Sequence, residues 1–124
     1  MRVLHVDDDA LVRELVKIGM GQYGGHDVRS FDSGPAALEH LRSEEVDLIV
    51  SDVMMPGMNG PQFVAAVREE GLSAAPVMFL TSGFDPRSGW LETLKPAAIL
   101  AKPFNPFELP HDIDQHLTVA DAAA

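Results

Sequence analysis

Chemically reactive side chains stand directly after short β-favouring runs at four separate places in the chain. They are Asp7 and Asp8, Asp52, Thr81, and Lys102. A short apolar run that ends in turn residues is typical of a buried strand, and in a parallel sheet such strands end at the ligand crevice. We therefore expect three acids, one hydroxyl and one amine at the same rim of a sheet. Taken alone, an acid such as Asp52 would equally suit a simple loop cap.

This set of side chains suits phosphoryl transfer. Three carboxylates gathered at one point repel one another, and a hard cation such as Mg²⁺ removes much of that cost. A carboxylate such as Asp52 can attack phosphorus and become an aspartyl phosphate. Lys102 offers a positive charge, and Thr81 a hydroxyl donor, to phosphoryl oxygens. Such positioning and charge neutralisation are most of what phosphoryl transfer requires.

Composition limits the classes of function. The chain has 124 residues, 46% of them hydrophobic and 23% charged, which is ordinary for one globular domain. Nine basic residues against 19 acidic ones give a net charge of −10, so we expect no contact with nucleic acid. No apolar run approaches the roughly 20 residues that span a bilayer. The absence of cysteine is compatible with a reducing cytoplasm, where we expect the protein to reside.

Strand and helix patterns alternate along the chain. Strands are predicted over residues 2–6, 27–31, 48–51, 76–80 and 97–101. Helices are predicted over residues 10–20, 36–41 and 61–70, with a weaker one over 85–94 and a last one that opens at residues 105–108. Five βα units in series imply a central parallel sheet with helices on both faces.

Capping residues locate several helix ends. Asp9, Ser33 and Asn105 suit N-caps, because their side chains can accept free backbone N–H groups. Glycines are expected to stop the first helix, and Pro110 is expected to bend or restart the last one in its second turn. The run from Gly19 to Gly24 matches G-x-G-x-x-G, but it closes a helix instead of opening one, so we interpret it as a C-cap and turn.

The chain resembles the receiver domain of two-component response regulators. The resemblance extends from Val3 to about Leu117 and rests on four segments: Val6-Asp7-Asp8-Asp9, Ser51-Asp52-Val53-Met54-Met55-Pro56-Gly57-Met58-Asn59-Gly60, Leu80-Thr81-Ser82-Gly83 and Lys102-Pro103-Phe104. It implies a flavodoxin-like (βα)₅ fold with strand order 2-1-3-4-5. Residues 1–118 would form the receiver domain and residues 119–124 a short tail.

The resemblance also implies roles for individual residues. Asp52 would be the phosphoacceptor. Mg²⁺, or Mn²⁺ in its place, would be bound by Asp8, Asp52 and the backbone carbonyl of Met54, with Asp7 acting through a bound water.

Two further residues would act on the phosphoryl group itself. Lys102 would hold that group, through a cis peptide bond to Pro103, and Thr81 would bond one of its oxygens.

Partners follow from the same resemblance. The phosphoryl donor would be a sensor histidine kinase or a histidine phosphotransfer protein, and the output would pass to a downstream protein. The chain would catalyse only its own phosphorylation and dephosphorylation, as a monomer or weak homodimer, away from nucleic acid and membrane. Family members often carry an aromatic switch residue where this chain has Ile99. We therefore expect movement of the loop at residues 83–85 in place of an aromatic rotamer switch.

Three alternatives remain open at the level of sequence. A degenerate receiver would act as a scaffold without phosphorylation. A haloacid-dehalogenase-type phosphatase also uses an aspartyl phosphate, and Asp7-x-Asp9 fits its D-x-D start, but Ala10-Leu11 lacks the Thr or Val expected next. A flavodoxin-like FMN carrier shares the fold, yet the first loop has acids where a phosphate cradle needs Ser, Thr and Gly.

Overall fold

Five parallel strands form the centre of the protein. The computed structural model describes residues 1–81 and 94–123, with side chains as far as residue 117. The strands are β1 (Arg2–Val6), β2 (Asp27–Phe31), β3 (Leu48–Asp52), β4 (Val77–Thr81) and β5 (Ala98–Ala101). Their order is β2-β1-β3-β4-β5, and every neighbouring pair is parallel. The predicted strand order is therefore confirmed.

Helices cover both faces of this sheet. The structure describes α1 (Ala10–Val16) with a π-helical continuation over Lys17–Tyr23, α2 (Gly34–Leu41), α3 (Gly60–Glu69) and α4 (Leu109–Ala123). The helix predicted over residues 85–94 lies almost wholly outside the described residues, as does the loop at residues 83–85. The last helix continues through residues 119–123, which the sequence pattern assigned to a tail.

Alternate side chains along each strand form two hydrophobic clusters, one on each face of the sheet. On the face of α2 and α3 the cluster includes Leu4, Ile49, Phe63, Val64 and Phe79. On the face of α1 and α4 it includes Val3, Val50, Met20, Leu109 and Ile113. Because both faces are covered, β3 and β4 are buried along their whole length. A strand that ends in this environment delivers its last side chain to a site with little solvent.

Two of the three predicted N-caps, Asp9 and Ser33, are present. Asp9 accepts a hydrogen bond from the backbone N–H of Leu11, and Ser33 accepts one from Ala36. α3 begins with a capping box, in which Asn59 and Gln62 each bond the other's backbone N–H. These caps fix where each helix leaves the rim of the sheet.

Glycine does end the first helix, as expected, but three residues later than the predicted end at Met20. Helical turns continue to Tyr23, and Gly24 is the C-cap. Gly19 lies inside the helical turns and serves packing, because a Cβ there would lie 2.2 Å from the carbonyl oxygen of Pro106. Backbone therefore touches backbone, which only glycine permits. The glycine-rich run does close a helix before β2, as interpreted from the sequence.

The last helix also begins later than predicted. The side chain of Asn105 accepts a hydrogen bond from the backbone N–H of Phe107 over 3.0 Å, but regular helix starts only at Leu109. Pro110 thus lies in the first turn and not in the second. At that position the missing N–H of proline would have had no helical partner, so the ring fits without a bend.

Candidate functional site

Asp7 follows β1 and is fully buried at the rim of the sheet. Its backbone is held on two sides: its N–H donates to the carbonyl of Phe31 over 3.0 Å, and Arg13 Nη1 donates to its carbonyl oxygen over 2.8 Å. Its carboxylate accepts a hydrogen bond from the N–H of Asp9 over 2.9 Å. The contacts of Phe31 and Arg13 were not predicted, because each joins residues that nothing in the local sequence pattern relates.

Asp52 is the last residue of β3, and only 6% of its surface is exposed. The backbone N–H of Met54 donates a hydrogen bond to its carboxylate. The start of α3 closes over its backbone, since a Cβ on Gly60 would lie 2.1 Å from the Asp52 carbonyl oxygen. Gly60 is therefore required for this close approach. The predicted position of Asp52, on the carboxyl rim, is what the structure shows.

Lys102 joins the two buried acids. Its Nζ lies 2.8 Å from Asp7 Oδ2 and 3.1 Å from Asp52 Oδ1. The pairing of β4 with β5 brings it there, because the N–H of Lys102 donates to the carbonyl of Thr81 over 2.9 Å. The Lys102–Pro103 peptide bond is cis, as the resemblance implied.

The protonation equilibria reflect two carboxylates that share one ammonium. Burial and the neighbouring charge of Asp7 raise the pKa of Asp52, although Lys102 and the N–H of Met54 act in the opposite direction. Burial alone would lower the pKa of Lys102, but its hydrogen bonds to Asp7 and Asp52 outweigh that effect and raise it. The two pKa directions are consistent. The charged form of Lys102 is stabilised by two carboxylates, whereas the charged form of Asp52 shares its one ammonium with Asp7. The site therefore retains excess negative charge.

Asp8 completes a compact acidic cluster. One carboxylate oxygen from each of Asp7, Asp8 and Asp52 lies within 4.8 Å of the others, and Asp8 is the exposed member. Carboxylate oxygens are the ligands that hard divalent cations prefer, and an exposed side leaves room for retained waters. The donor set thus fits Mg²⁺. The structure brings together the three acids and Lys102, as predicted.

Thr81 and Ile99 occupy the predicted places on β4 and β5. Thr81 is the last residue of β4 and is 5% exposed; it pairs with Ala101 of β5, and its carbonyl accepts the N–H of Lys102. Ile99 is half-buried and packs against the cluster on the face of α2 and α3. The chain therefore has a packed aliphatic side chain at the position where an aromatic switch was considered.

His5 lies in β1, two residues before Asp7, and is fully buried. Its Nδ1 is 3.2 Å from the hydroxyl of Ser30, so His5 is a hydrogen-bonded core histidine. Within the described part of the chain, its Nε2 has no hydrogen-bond partner. Burial, followed by the charges of Lys102 and Arg13, lowers the pKa of His5 to about 3. The imidazole is therefore neutral at physiological pH and adds no charge below the acidic cluster.

Sequence comparison places these features in a known family. The model of the response regulator receiver domain matches residues 3–114. The chain belongs to this family. Within the described residues, no helix combines the length and apolar character needed to cross a membrane.

Two relatives illustrate the range of proteins to which the chain is similar. It is 35% identical over 120 residues to the transcriptional regulatory protein YvrH of Bacillus subtilis, covering 93% of this chain and 48% of that protein. It is 36% identical over 83 residues to the chemotaxis protein CheY of Pseudomonas aeruginosa, covering 66% of this chain and 67% of that protein. The chain thus spans about half the length of YvrH and two thirds of CheY.

Solved structures agree with the fold. The chemotaxis protein CheY4 of Vibrio cholerae superposes with a TM-score of 0.84 at 33% identity, covering 92% of this chain and 96% of that one. The response regulator TrrA of Thermotoga maritima, solved in complex with Mg²⁺ and BeF, gives a TM-score of 0.77 at 30% identity, with coverage of 93% and 97%. The flavodoxin-like architecture is therefore shared with CheY-like receivers.

Proposed function

We propose that the protein is a phosphoacceptor receiver in which Asp52 takes a phosphoryl group from a phosphohistidine. The observation that carries this proposal is the buried Asp52 carboxylate with Lys102 Nζ at 3.1 Å and two further acids beside it. A carboxylate held in place by neighbouring groups is a competent nucleophile for phosphorus. The excess negative charge of the cluster favours a bound cation, which would in turn neutralise charge on the phosphoryl oxygens.

The chain's own residues would divide the reaction among them. A carboxylate oxygen of Asp52 forms the new P–O bond, while the P–N bond of the donor imidazole breaks and that nitrogen leaves with the electron pair and takes a proton. Lys102, which can turn from Asp52 to the incoming group, neutralises phosphoryl charge. Thr81 presents its hydroxyl from the adjacent strand end. Burial of Asp7 and Asp52 strengthens each of these electrostatic contacts.

The acidic cluster would bind Mg²⁺, or Mn²⁺ with the same oxygen ligands. Asp8, Asp52 and the Met54 carbonyl would hold the cation, with Asp7 acting through a bound water. When bound, the cation supplies charge neutralisation for the acids and the phosphoryl oxygens. The TrrA structure, solved with Mg²⁺ and BeF, supports this assignment by similarity.

The partners would be proteins. A sensor histidine kinase or histidine phosphotransfer protein would donate the phosphoryl group, and a downstream protein would read the phosphorylated surface in the cytoplasm. The net charge of −10 disfavours nucleic acid as a direct ligand of this domain. We propose that the protein has no substrate other than its own aspartate, and that it acts as a monomer or weak homodimer. With an aliphatic Ile99 at this position, half-buried against the core cluster, its output would not depend on an aromatic rotamer.

Phosphorylation by a small donor tests the proposal. We expect the chain, incubated with Mg²⁺ and acetyl phosphate, to gain the mass of one phosphoryl group by intact mass spectrometry. Asp52→Ala and the isosteric Asp52→Asn should gain none. Asp47→Asn is the matched control, because Asp47 precedes the same strand at its opposite end, and it should be phosphorylated like the wild type.

The phosphorylation experiment and a separate assay of phosphoester hydrolysis distinguish the alternatives. A wild-type chain that gains no mass would contradict the proposal and favour a phosphorylation-independent scaffold. Hydrolysis of a generic phosphoester would instead revive the phosphatase interpretation.

A further inference from the structure

The loop between β3 and α3, residues 53–59, carries one of the expected cation ligands, the carbonyl of Met54. Backbone hydrogen bonds hold both of its ends. The N–H of Val53 donates to the carbonyl of Leu80 over 3.2 Å, and the N–H of Gly60 donates to the carbonyl of Val53 over 2.9 Å. Between these ends the chain makes a tight turn, with Gly57 at a φ of +78°. Within the loop, the N–H of Met54 bonds the carboxylate of Asp52, and the N–H of Met58 bonds the carbonyl of Pro56 over 2.9 Å. The side chains of the loop supply its contacts with the hydrophobic core.

Methionines anchor this loop to the core. Met55 is only 8% exposed and belongs to the cluster on the face of α2 and α3, and Met58 packs against that cluster from the loop. Met54 points into solvent, with 71% of its surface exposed. Of the three methionines, two are thus used for packing, which leaves Met54 as the exposed one.

Met58 has a specific seat on the first residue of α2. A Cβ built on Gly34 would lie 2.6 Å from Met58 Sδ, 3.1 Å from its Cγ and 3.4 Å from its Cβ. Gly34 is buried and has no unusual φ that would itself require glycine. The absence of a side chain at Gly34 is therefore explained by the Met58 side chain that lies over it.

The same end of α2 is connected to the other acidic loop. Phe31, three residues before Gly34, accepts the hydrogen bond of the Asp7 backbone N–H at 3.0 Å and packs against the cluster that also supports Met58. The end of β2 therefore contacts the Asp7 segment through Phe31, and the start of α2, three residues later, contacts the β3–α3 loop through Gly34. The Asp7 segment and the β3–α3 loop both bear expected cation ligands, and both contact residues 31–34.

We propose that Met58, seated over Gly34, is a positioning residue that fixes the β3–α3 loop relative to the Asp7 segment and so sets the spacing of the cation ligands. This inference rests on the proposed binding of Mg²⁺ at the acidic cluster. Met58 itself touches neither cation nor phosphoryl group; it acts through the backbone of its loop. Residues that orient metal ligands without touching the metal commonly weaken metal binding strongly when they are removed.

Mg²⁺ affinity of the full chain, measured by isothermal titration calorimetry, tests the proposal. We expect Met58→Ala to weaken Mg²⁺ binding on the order of 10-fold, as loss of supporting contacts does at other metal sites. Met58→Leu should bind nearly as the wild type does, because its volume refills the seat. Gly34→Ala should also weaken binding, since its methyl group displaces Met58. The double variant Gly34→Ala with Met58→Ala should lose less than the two single effects added, because the new methyl occupies space that Met58 has left.

Two controls separate positioning from general stability. Met20→Ala truncates a fully buried methionine in the cluster on the opposite face of the sheet, and it should lower the melting temperature without changing Mg²⁺ affinity. Gly21→Ala is the matched glycine control, because a Cβ there would meet no atom closer than 3.8 Å. Hydrogen exchange in EDTA adds a metal-free measurement: the amides of residues 54, 55, 57 and 58 should exchange faster in Met58→Ala than in Met20→Ala.

Each outcome decides the proposal. Wild-type Mg²⁺ affinity in both Met58→Ala and Gly34→Ala would overturn it, as would an equal loss in Met20→Ala. If Met58→Ala fails to fold, Gly34→Ala decides the outcome, because it keeps every core side chain and places a better helix former in α2. A wild-type chain that binds no Mg²⁺ would overturn the proposed function and this inference together, whereas normal wild-type binding with unaffected variants would overturn only the inference.

Discussion

β3 has a carboxylate at each end, and the two behave in opposite ways. Asp47 immediately precedes the strand, with 44% of its side chain exposed, and it accepts a hydrogen bond from the backbone N–H of Arg2 over 2.7 Å. That hydrogen bond is the main reason that the pKa of Asp47 is lowered. Asp52 ends the strand in a buried, acid-rich setting, and burial followed by Asp7 raises its pKa. Both residues are aspartates at the ends of one strand, and the opposite directions of their pKa shifts come from their surroundings.

The contrast shows how a single strand can support both stability and chemistry. Asp47 favours the folded state when it is ionised, so its contribution is present above the ordinary pKa of 3.8 and is lost as pH falls through the lower folded value. Ionised Asp52 opposes folding, and this penalty is relieved as pH falls through its raised pKa. The fold tolerates the unfavourable negative charge of Asp52 at the rim, where the carboxylate would bind a cation and accept a phosphoryl group.

Removal of Lys102 should have the largest effect on this comparison. Lys102→Ala leaves Asp7 and Asp52 buried without their shared ammonium, so we expect a loss of about 3 kcal/mol in the free energy of unfolding at neutral pH, as for other broken buried pairs. Urea denaturation measures the loss. Lys17→Ala, which truncates an exposed lysine on the π-helical segment, is the control. Equal effects of the two substitutions would show that Lys102 does not compensate the acids.

Neutralising Asp52 should have a smaller effect of the opposite sign. Asp52→Asn keeps the shape and removes the disfavoured charge, so the free energy of unfolding at neutral pH should rise by roughly 0.5–2 kcal/mol, the usual gain from relieving unfavourable charges. The gain should shrink as pH falls through the raised pKa of Asp52, because the wild-type carboxyl is then protonated as well. Urea denaturation over a pH series checks both points, and a gain that does not vary with pH would exclude charge as its cause.

Neutralising Asp47 should have the smallest effect. Asp47→Asn should slightly lower the free energy of unfolding at neutral pH, because the Arg2 N–H then bonds a neutral amide oxygen in place of a carboxylate. The difference from the wild type should disappear at low pH, where Asp47 is protonated. It should also diminish in high salt, which screens exposed charges more than buried ones. Paired urea titrations at low and high salt measure this; a salt-independent loss would point to packing.

Much of the fold and the rim was predictable from the sequence, because those features follow from local rules. Apolar runs of strand length, caps such as Asp9 and Ser33, and an acid or lysine at successive strand ends each lie within a few residues. Alternation of strands and helices then brings those strand ends to one rim. Together with the family resemblance, this was enough to place Asp52 beside Lys102.

The remaining features depend on contacts between distant segments. In the sequence, Gly19 indicates the end of a helix. In the structure, the backbone of Pro106 packs against it, and this contact requires glycine. Gly34 and Met58 are 24 positions apart, and no periodicity relates them. Pro110 was expected to bend or restart the last helix because the sequence placed the start of that helix near Asn105. The helix begins at Leu109, so Pro110 lies in its first turn. Sequence reasoning identified the reactive groups better than it identified the residues that support them.

The contact of Gly19 with Pro106 has a practical consequence for protein engineering. Because backbone meets backbone there, the first helical segment and the segment before α4 are shaped to each other, although more than 80 positions separate them in the sequence. A chimaera that takes its final helix from another receiver, while keeping residues 10–23 of this one, would place an unmatched surface against Gly19. Exchanges intended to transfer output specificity should therefore move both segments as one block.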